Sequence, residues 1–247
     1  MKKTGFISLA VLTMLCVSGM AHALIFDGDV TNNVIFGTGN ANGYWTIGQN
    51  AAAGIEVGLR GKLRYQGIYN SGGDGTYAFD PGFSSGTAAL WNYEFSINTA
   101  YNGAGANLDK YSIFLSIDAD PSQGVDWLTF DPFSVWNDNS FGDNSTAQSD
   151  GTEYNNLIDQ AAALENHNLV QNSQNLGWAG LPGFNPDADG TYDFSLFVKD
   201  LSGVELARTS MTVIVGQGGA AVPEPATMLL LGCGLMGLVG VRRKFNK

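Results

Sequence analysis

The chain has 247 residues, with 12 Lys and Arg against 23 Asp and Glu and a formal net charge of −11 at pH 7. Over residues 24–221 six basic residues face 22 acids, a net charge of −16, which repels phosphate backbones and argues against nucleic acid as a partner. Its two cysteines, Cys16 and Cys233, lie in terminal apolar runs, so the central part has neither a disulfide nor a thiolate ligand.

Lys2 and Lys3 open the chain, residues 5–17 form an apolar run, and Ala21-His22-Ala23 offers small residues at both positions a signal peptidase reads. This pattern predicts a signal peptide over residues 1–23, cut after Ala23, and hence an exported protein. Bulky Leu15 ahead of Cys16 excludes a lipid-attachment site.

Residues 24–215 read as strands. Ile55, Val57, Leu59, Leu63 and Tyr65 alternate with Glu56, Gly58, Arg60, Lys62 and Arg64, a period of two that predicts one buried face and one wet face. On that reading Arg60, Lys62 and Arg64 form a cationic stripe on a solvated edge, with an acidic polymer as the functional alternative. The alternation returns at Trp91, Tyr93, Phe95 and Ile97 and at Tyr111, Ile113, Leu115 and Ile117. Clusters of Gly, Asn, Asp and Ser separate the runs, as in "YNSGGDGTYAFDPG" and "NTAYNGAGANLDK". Many short strands joined by polar turns predict an all-β, antiparallel β-sandwich, immunoglobulin-like or jelly-roll-like.

One helix interrupts the pattern. Asp150 as N-cap with Glu153 three residues on, followed by Leu157, Ile158, Ala161, Ala162, Leu164 and Leu169, predicts a helix near residues 152–170 that covers one end of the sandwich. His167 then sits in that helix as a solvent-facing residue. Alternation resumes at Tyr192, Phe194, Leu196 and Val198, and residues 209–215 are β-branched almost throughout. The stretch "NPDADGTYDFSLFVKDLSGVELARTSMTVIV" resembles the closing hairpin of bacterial immunoglobulin-like and adhesin-type sandwiches. The resemblance implies that the hydroxyl of Tyr192 bonds back to the preceding corner.

Few constellations suit catalysis. His167 is the one histidine after the signal, no Gly-x-Ser-x-Gly surrounds a serine, and no His/Cys cluster suits zinc. "FGTGNANG" misses the dinucleotide-binding spacing. Asp118, Asp120, Asp126 and Asp131 surround a strand end and its loop, and two carboxylates at the right separation would cleave a glycosidic bond. Asn185, Asp187 and Asp189, followed by Gly190, reproduce the start of an EF-type calcium loop, but the twelfth position is Leu196 instead of a bidentate Glu. A complete EF-hand is excluded; a partial Ca²⁺ site or an Asp-rich turn remain, with the Asp118/Asp120 pair as a second candidate. Trp127 and Trp136 flank "LTFDPFSV" and are the candidates for a sugar-stacking platform, while Trp91 alternates with core residues and is expected to be buried. No catalysis is expected.

The end of the chain is the most specific part. A "GQGGAA" linker over residues 216–221 gives a processing enzyme room, and Pro223-Glu224-Pro225 resists helix and holds an extended segment. Residues 226–241 carry no charge and would form a transmembrane helix of roughly 24 Å, short of a ~30 Å hydrocarbon core. Arg242, Arg243 and Lys244 would hold its end in the cytoplasm. In this order, motif, helix and basic end resemble the PEP-CTERM sorting signal over residues 222–247. The resemblance implies recognition at Pro223-Glu224-Pro225 by exosortase, a membrane-embedded cysteine transpeptidase-like protease, and removal of the anchor near the motif. It also implies an association with exopolysaccharide and biofilm, with transient anchoring in the inner membrane before release to the cell surface or extracellular matrix. The expected role is structural or binding, with a carbohydrate-binding module or adhesin as the alternative and a polysaccharide hydrolase behind it.

Overall fold

The computed structural model describes residues 24–35, 39–154, 156–181 and 184–220. The predicted signal peptide, sorting signal and membrane helix lie outside them. Among the described residues no helix is long and apolar enough to cross a membrane.

The protein is mostly β, with strands numbered along the chain. One sheet has the spatial order β1 (Leu24–Gly28), β2 (Trp45–Asn50), β3 (Ile55–Leu63), β7 (Trp91–Asn98), β12 (Leu169–Gln174), β10 (Ser140–Gly142) and β11 (Thr152–Glu153). The other runs β4 (Thr76–Phe79), β14 (Glu205–Val215), β13 (Gly190–Lys199), β8 (Ser112–Asp118) and β9 (Trp127–Phe130). Pairing is antiparallel among these strands except between β4 and β14, which run parallel from Thr76↔Thr212 to Phe79↔Val215. A small hairpin, β5 (Phe83–Ser85) and β6 (Ala88–Ala89), stands apart.

The core lies where the inward rows of the two sheets meet. Ile55, Val57 and Leu59 of β3 and Trp91, Tyr93, Phe95 and Ile97 of β7 are buried against Leu115, Phe194, Leu196 and Val213. Trp91 packs edge-on to Phe194 at 6.4 Å between centroids, and Tyr93 lies 4.9 Å from the same ring. At one side the sheets nearly touch: Thr209 Oγ1 donates to the Thr46 carbonyl at 2.8 Å. A Cβ built on Gly48 of β2 would stand 1.9 Å from the Arg208 carbonyl oxygen, so only a glycine lets β14 approach there.

The alternation found the inward faces and misjudged the outward ones. Glu56, Arg60, Lys62, Asn92, Glu94, Ser96 and Asn98, on the expected wet face of β3 and β7, are all buried. The connection from β1 to β2 crosses that face, so the expected cationic edge stripe is an interior ion cluster. Arg60 Nε bonds Glu94 Oε2 at 2.5 Å and Lys62 Nζ lies 2.9 Å from Glu94 Oε1. The Arg60 Nη1 donates to the carbonyls of Ala41 and Gly43, Lys62 holds the side chain of Asn40, and the guanidinium lies 4.1 Å from the Trp45 ring. Charged side chains on a doubly covered strand thus fasten the covering segment. Arg64 alone of the three lies beyond the strand, between the rings of Tyr65 and Trp178.

The helix near 152–170 is shorter than its periodicity suggested. α2 spans Leu157–Asn166; α1 (Pro132–Val135) and α3 (Leu176–Ala179) are single turns. Asn156, rather than Asp150, caps α2 by accepting the Asp159 N–H at 2.9 Å. Glu153 pairs with Ser140 in β11, and Leu169 pairs with Asn98 in β12. Leu157 and Ile158 are exposed, while Gln160 and Ala163 face inward. Helix-like spacing of apolar residues therefore ran from α2 into β12, whose backbone bonds go to the sheet. His167 ends α2 half-buried, its Nε2 3.3 Å from the Tyr154 hydroxyl and its ring beside Phe141.

Tyr192 also departs from its resemblance. Its ring folds over Gly190, where a Cβ would lie 2.8 Å away, and packs on Trp91 and Phe184. Among the described residues its hydroxyl has no hydrogen-bond partner, and burial pushes it up to about 12.

Candidate functional site

The outward face of the five-stranded sheet forms an open hollow of about 650 Å³. Its floor follows from strand register. Asp193, Ser195 and Phe197 of β13 sit opposite Thr212, Ser210 and Arg208 of β14; Ser195 and Phe197 also face Ser116 and Phe114 of β8. Thr129 and Trp127 of β9 continue the rows beside Ser116 and Asp118, and Thr76 of β4 continues them beside Thr212. These are the alternate positions to the core residues of the same strands, as the two-residue period requires. One wall belongs to the other sheet: Leu24 and Phe26 of edge strand β1 line the hollow. Gly75, at φ +86°, makes room for that wall, since a Cβ there would lie 3.2 Å from the Phe26 ring.

Neighbouring side chains hold the polar groups of the floor in place. Arg208 makes a fork to Glu205, with Nε to Oε1 at 2.8 Å and Nη2 to Oε2 at 2.5 Å. Its Nη1 donates to Ser195 Oγ, and the guanidinium lies 4.2 Å from the centroid of Phe197. Ser116 and Thr129 share a hydrogen bond of 2.7 Å, and Thr212 donates to Asp193. The hollow therefore combines a hydroxyl-rich floor, one charge-satisfied arginine, the carboxylates Asp74 and Asp193, and aromatic walls.

Trp127 is 48 % exposed and lines this hollow. Trp136, its expected companion, is buried instead, with Phe130 at 5.2 Å, Tyr93 at 6.1 Å and Phe95 at 6.3 Å. The single turn of α1 aims it inward: Asp131 caps that turn by accepting the Phe133 N–H at 2.9 Å, and Trp136 closes it. Trp91 is buried, as expected, and Trp178 is exposed away from the hollow. Nothing in the sequence pattern separated Trp127 from Trp136. Asp193, Ser195, Phe197, Arg208, Ser210 and Thr212 were legible only as the outward alternates of strands recognised by their inward residues.

The loop leading into Trp127 is built by the carboxylates proposed for glycoside cleavage or calcium. Asp118 Oδ1 accepts the N–H groups of Asp120 and Asp126 at 3.0 and 2.8 Å, and burial outweighs these bonds to raise its pKa. Asp120 accepts the N–H and the hydroxyl of Ser122, which lowers its pKa. Burial raises that of Asp131. Asn185, Asp187 and Asp189 are exposed; Asn185 Oδ1 accepts the Asp187 N–H at 3.1 Å and Asp189 faces Gly216. They form an Asx turn ahead of β13. Among the described residues no group of three His, Cys, Asp or Glu side chains could hold a metal ion.

Beyond β14 the expected free linker is docked as far as Ala220. Gly216 N–H donates to the Phe79 carbonyl and Gly219 N–H to Thr191 Oγ1, each at 2.9 Å, while Gln123 N–H donates to the Ala220 carbonyl at 2.9 Å. Ala220, the last described residue, thus lies beside the loop that ends at Trp127.

No curated protein and no solved structure matches the chain. One family does: the PEP-CTERM protein-sorting motif matches residues 221–244, a span that holds Pro223, Glu224, Pro225, Arg242, Arg243 and Lys244. The chain therefore carries a PEP-CTERM protein-sorting motif directly after its last described residue, which implies that it is exported, sorted at the membrane and processed by exosortase.

Proposed function

We propose that this is a non-catalytic component of the cell surface or extracellular matrix, delivered by exosortase, that binds exopolysaccharide through the hollow of its five-stranded sheet. The sorting motif over residues 221–244 carries the reading of delivery, since it sets the route of the whole chain. The hollow supports the binding role: it is open, it has an exposed tryptophan on its rim, and its polar groups are held by neighbours. The carboxylates of the loop before Trp127 mainly shape backbone, which favours a binding role over cleavage.

Fractionating a polysaccharide-producing host with and without its exosortase tests this. The protein should be found with the surface polysaccharide in the parent and held in the inner membrane in the deletion strain. An unchanged distribution would refute the route. Release of reducing ends from the host's own polysaccharide by the purified protein would refute the non-catalytic role.

A further inference from the structure

Resting on the reading of the hollow as the binding face, we infer that its ligand is an uncharged polysaccharide chain, lying across the strands against Trp127. Charge on the floor comes first. The guanidinium of Arg208 is committed to Glu205 and Ser195, while Asp74 and Asp193 add negative charge within a domain of net −16. A carboxylated or sulfated polymer would meet repulsion from them; Lys199, the next outward residue of β13 beyond Phe197, lies over the rings of Phe114 and Phe197 outside the lining of the hollow.

The polar surface is also of a particular kind. Thr76, Ser116, Thr129, Ser195, Ser210 and Thr212 place hydroxyls on adjacent strands of one face. A hydroxyl both donates and accepts, so the exposed ones of Thr129 and Ser210 can meet sugar hydroxyls of either orientation, while the buried Ser116 and Ser195 support the floor through Thr129 and Arg208. Trp127 at the rim, with Phe26 on the β1 wall, supplies flat apolar faces for the C–H face of a pyranose ring. Five strands about 4.8 Å apart give a trough roughly 19 Å across, room for several sugar units. An extended peptide is less suited, because the floor strands already pair with one another and a peptide adds to a free edge.

The test uses the processed protein recovered from culture. Binding is measured against neutral glucans, mannans, xylans and galactans, against polygalacturonate, against chitosan, and against an unfolded polypeptide such as reduced casein. At least one neutral polymer should bind, with an affinity that changes little with salt. Trp127→Ala should weaken it about tenfold with an unchanged melting temperature, the loss of one stacking face. Trp178→Ala, away from the hollow, should leave it intact. Tighter binding of polygalacturonate or chitosan, screened by salt and lost in Trp127→Ala, would overturn the ligand class and leave the hollow as the site. Binding of casein in preference to every polysaccharide, binding of no polymer at all, or binding indifferent to Trp127→Ala would overturn both.

Discussion

Glu94 has its carboxylate out of water between Arg60 and Lys62, and its ionisation follows from that contest. Burial works to raise its pKa; the two cations and their hydrogen bonds prevail and hold it below its ordinary value of 4.5. A folded pKa below the unfolded one means that this stabilisation is present above the ordinary carboxylate range. It is lost as pH falls from there through the folded pKa. Glu94→Gln should therefore cost about 3–5 kcal/mol at neutral pH, because two buried cations lose their counter-charge. It should also flatten the acid limb of the stability profile, both read by denaturant titration across pH. The two tryptophans of one short stretch should behave oppositely. Trp136→Ala should cost about 3–5 kcal/mol as a core cavity, and Trp127→Ala, at a half-exposed site, less than about 1 kcal/mol. Equal losses in thermal melts would contradict their placement.

Strands declare their core face through alternation, so β3, β7, β8, β13 and β14 were legible from sequence. Whether the opposite face is wet depends on what crosses it. Arg60, Lys62 and Glu94 looked like surface residues because the covering segments, residues 30–35 and 39–43, have no periodic pattern to reveal where they lie. The end of α2 shows a second limit: Leu169 continues a helical spacing, yet its backbone bonds go to β7. Short strands such as β10 and β11 leave too little pattern to compete with that signal. The hollow was half legible, through Trp127, because its remaining residues come from strands brought together by register. Contact between the sheets makes one substitution diagnostic. Gly48→Ala would drive a methyl into the Arg208 carbonyl, so it should destabilise the protein by about 1–3 kcal/mol or prevent folding. An unchanged melting temperature would mean that β14 and β2 are not in contact.

At the scale of the molecule, two neighbouring features link structure to delivery. The body holds its own C-terminal exit through Gly216, Gly219 and Ala220, and the sorting motif begins at the next residue. That segment runs beside the loop before Trp127, where the Gln123 N–H donates to the Ala220 carbonyl. The strong negative charge of residues 24–221 favours solubility and repels anionic headgroups. On the proposed route the segment that follows the motif is removed, and intact-mass spectrometry of the protein isolated from the surface of an exosortase-bearing host measures that removal. The account predicts a chain that starts at Leu24 and ends near Pro223-Glu224-Pro225. A surface-located chain that runs unbroken to Lys247 would contradict it.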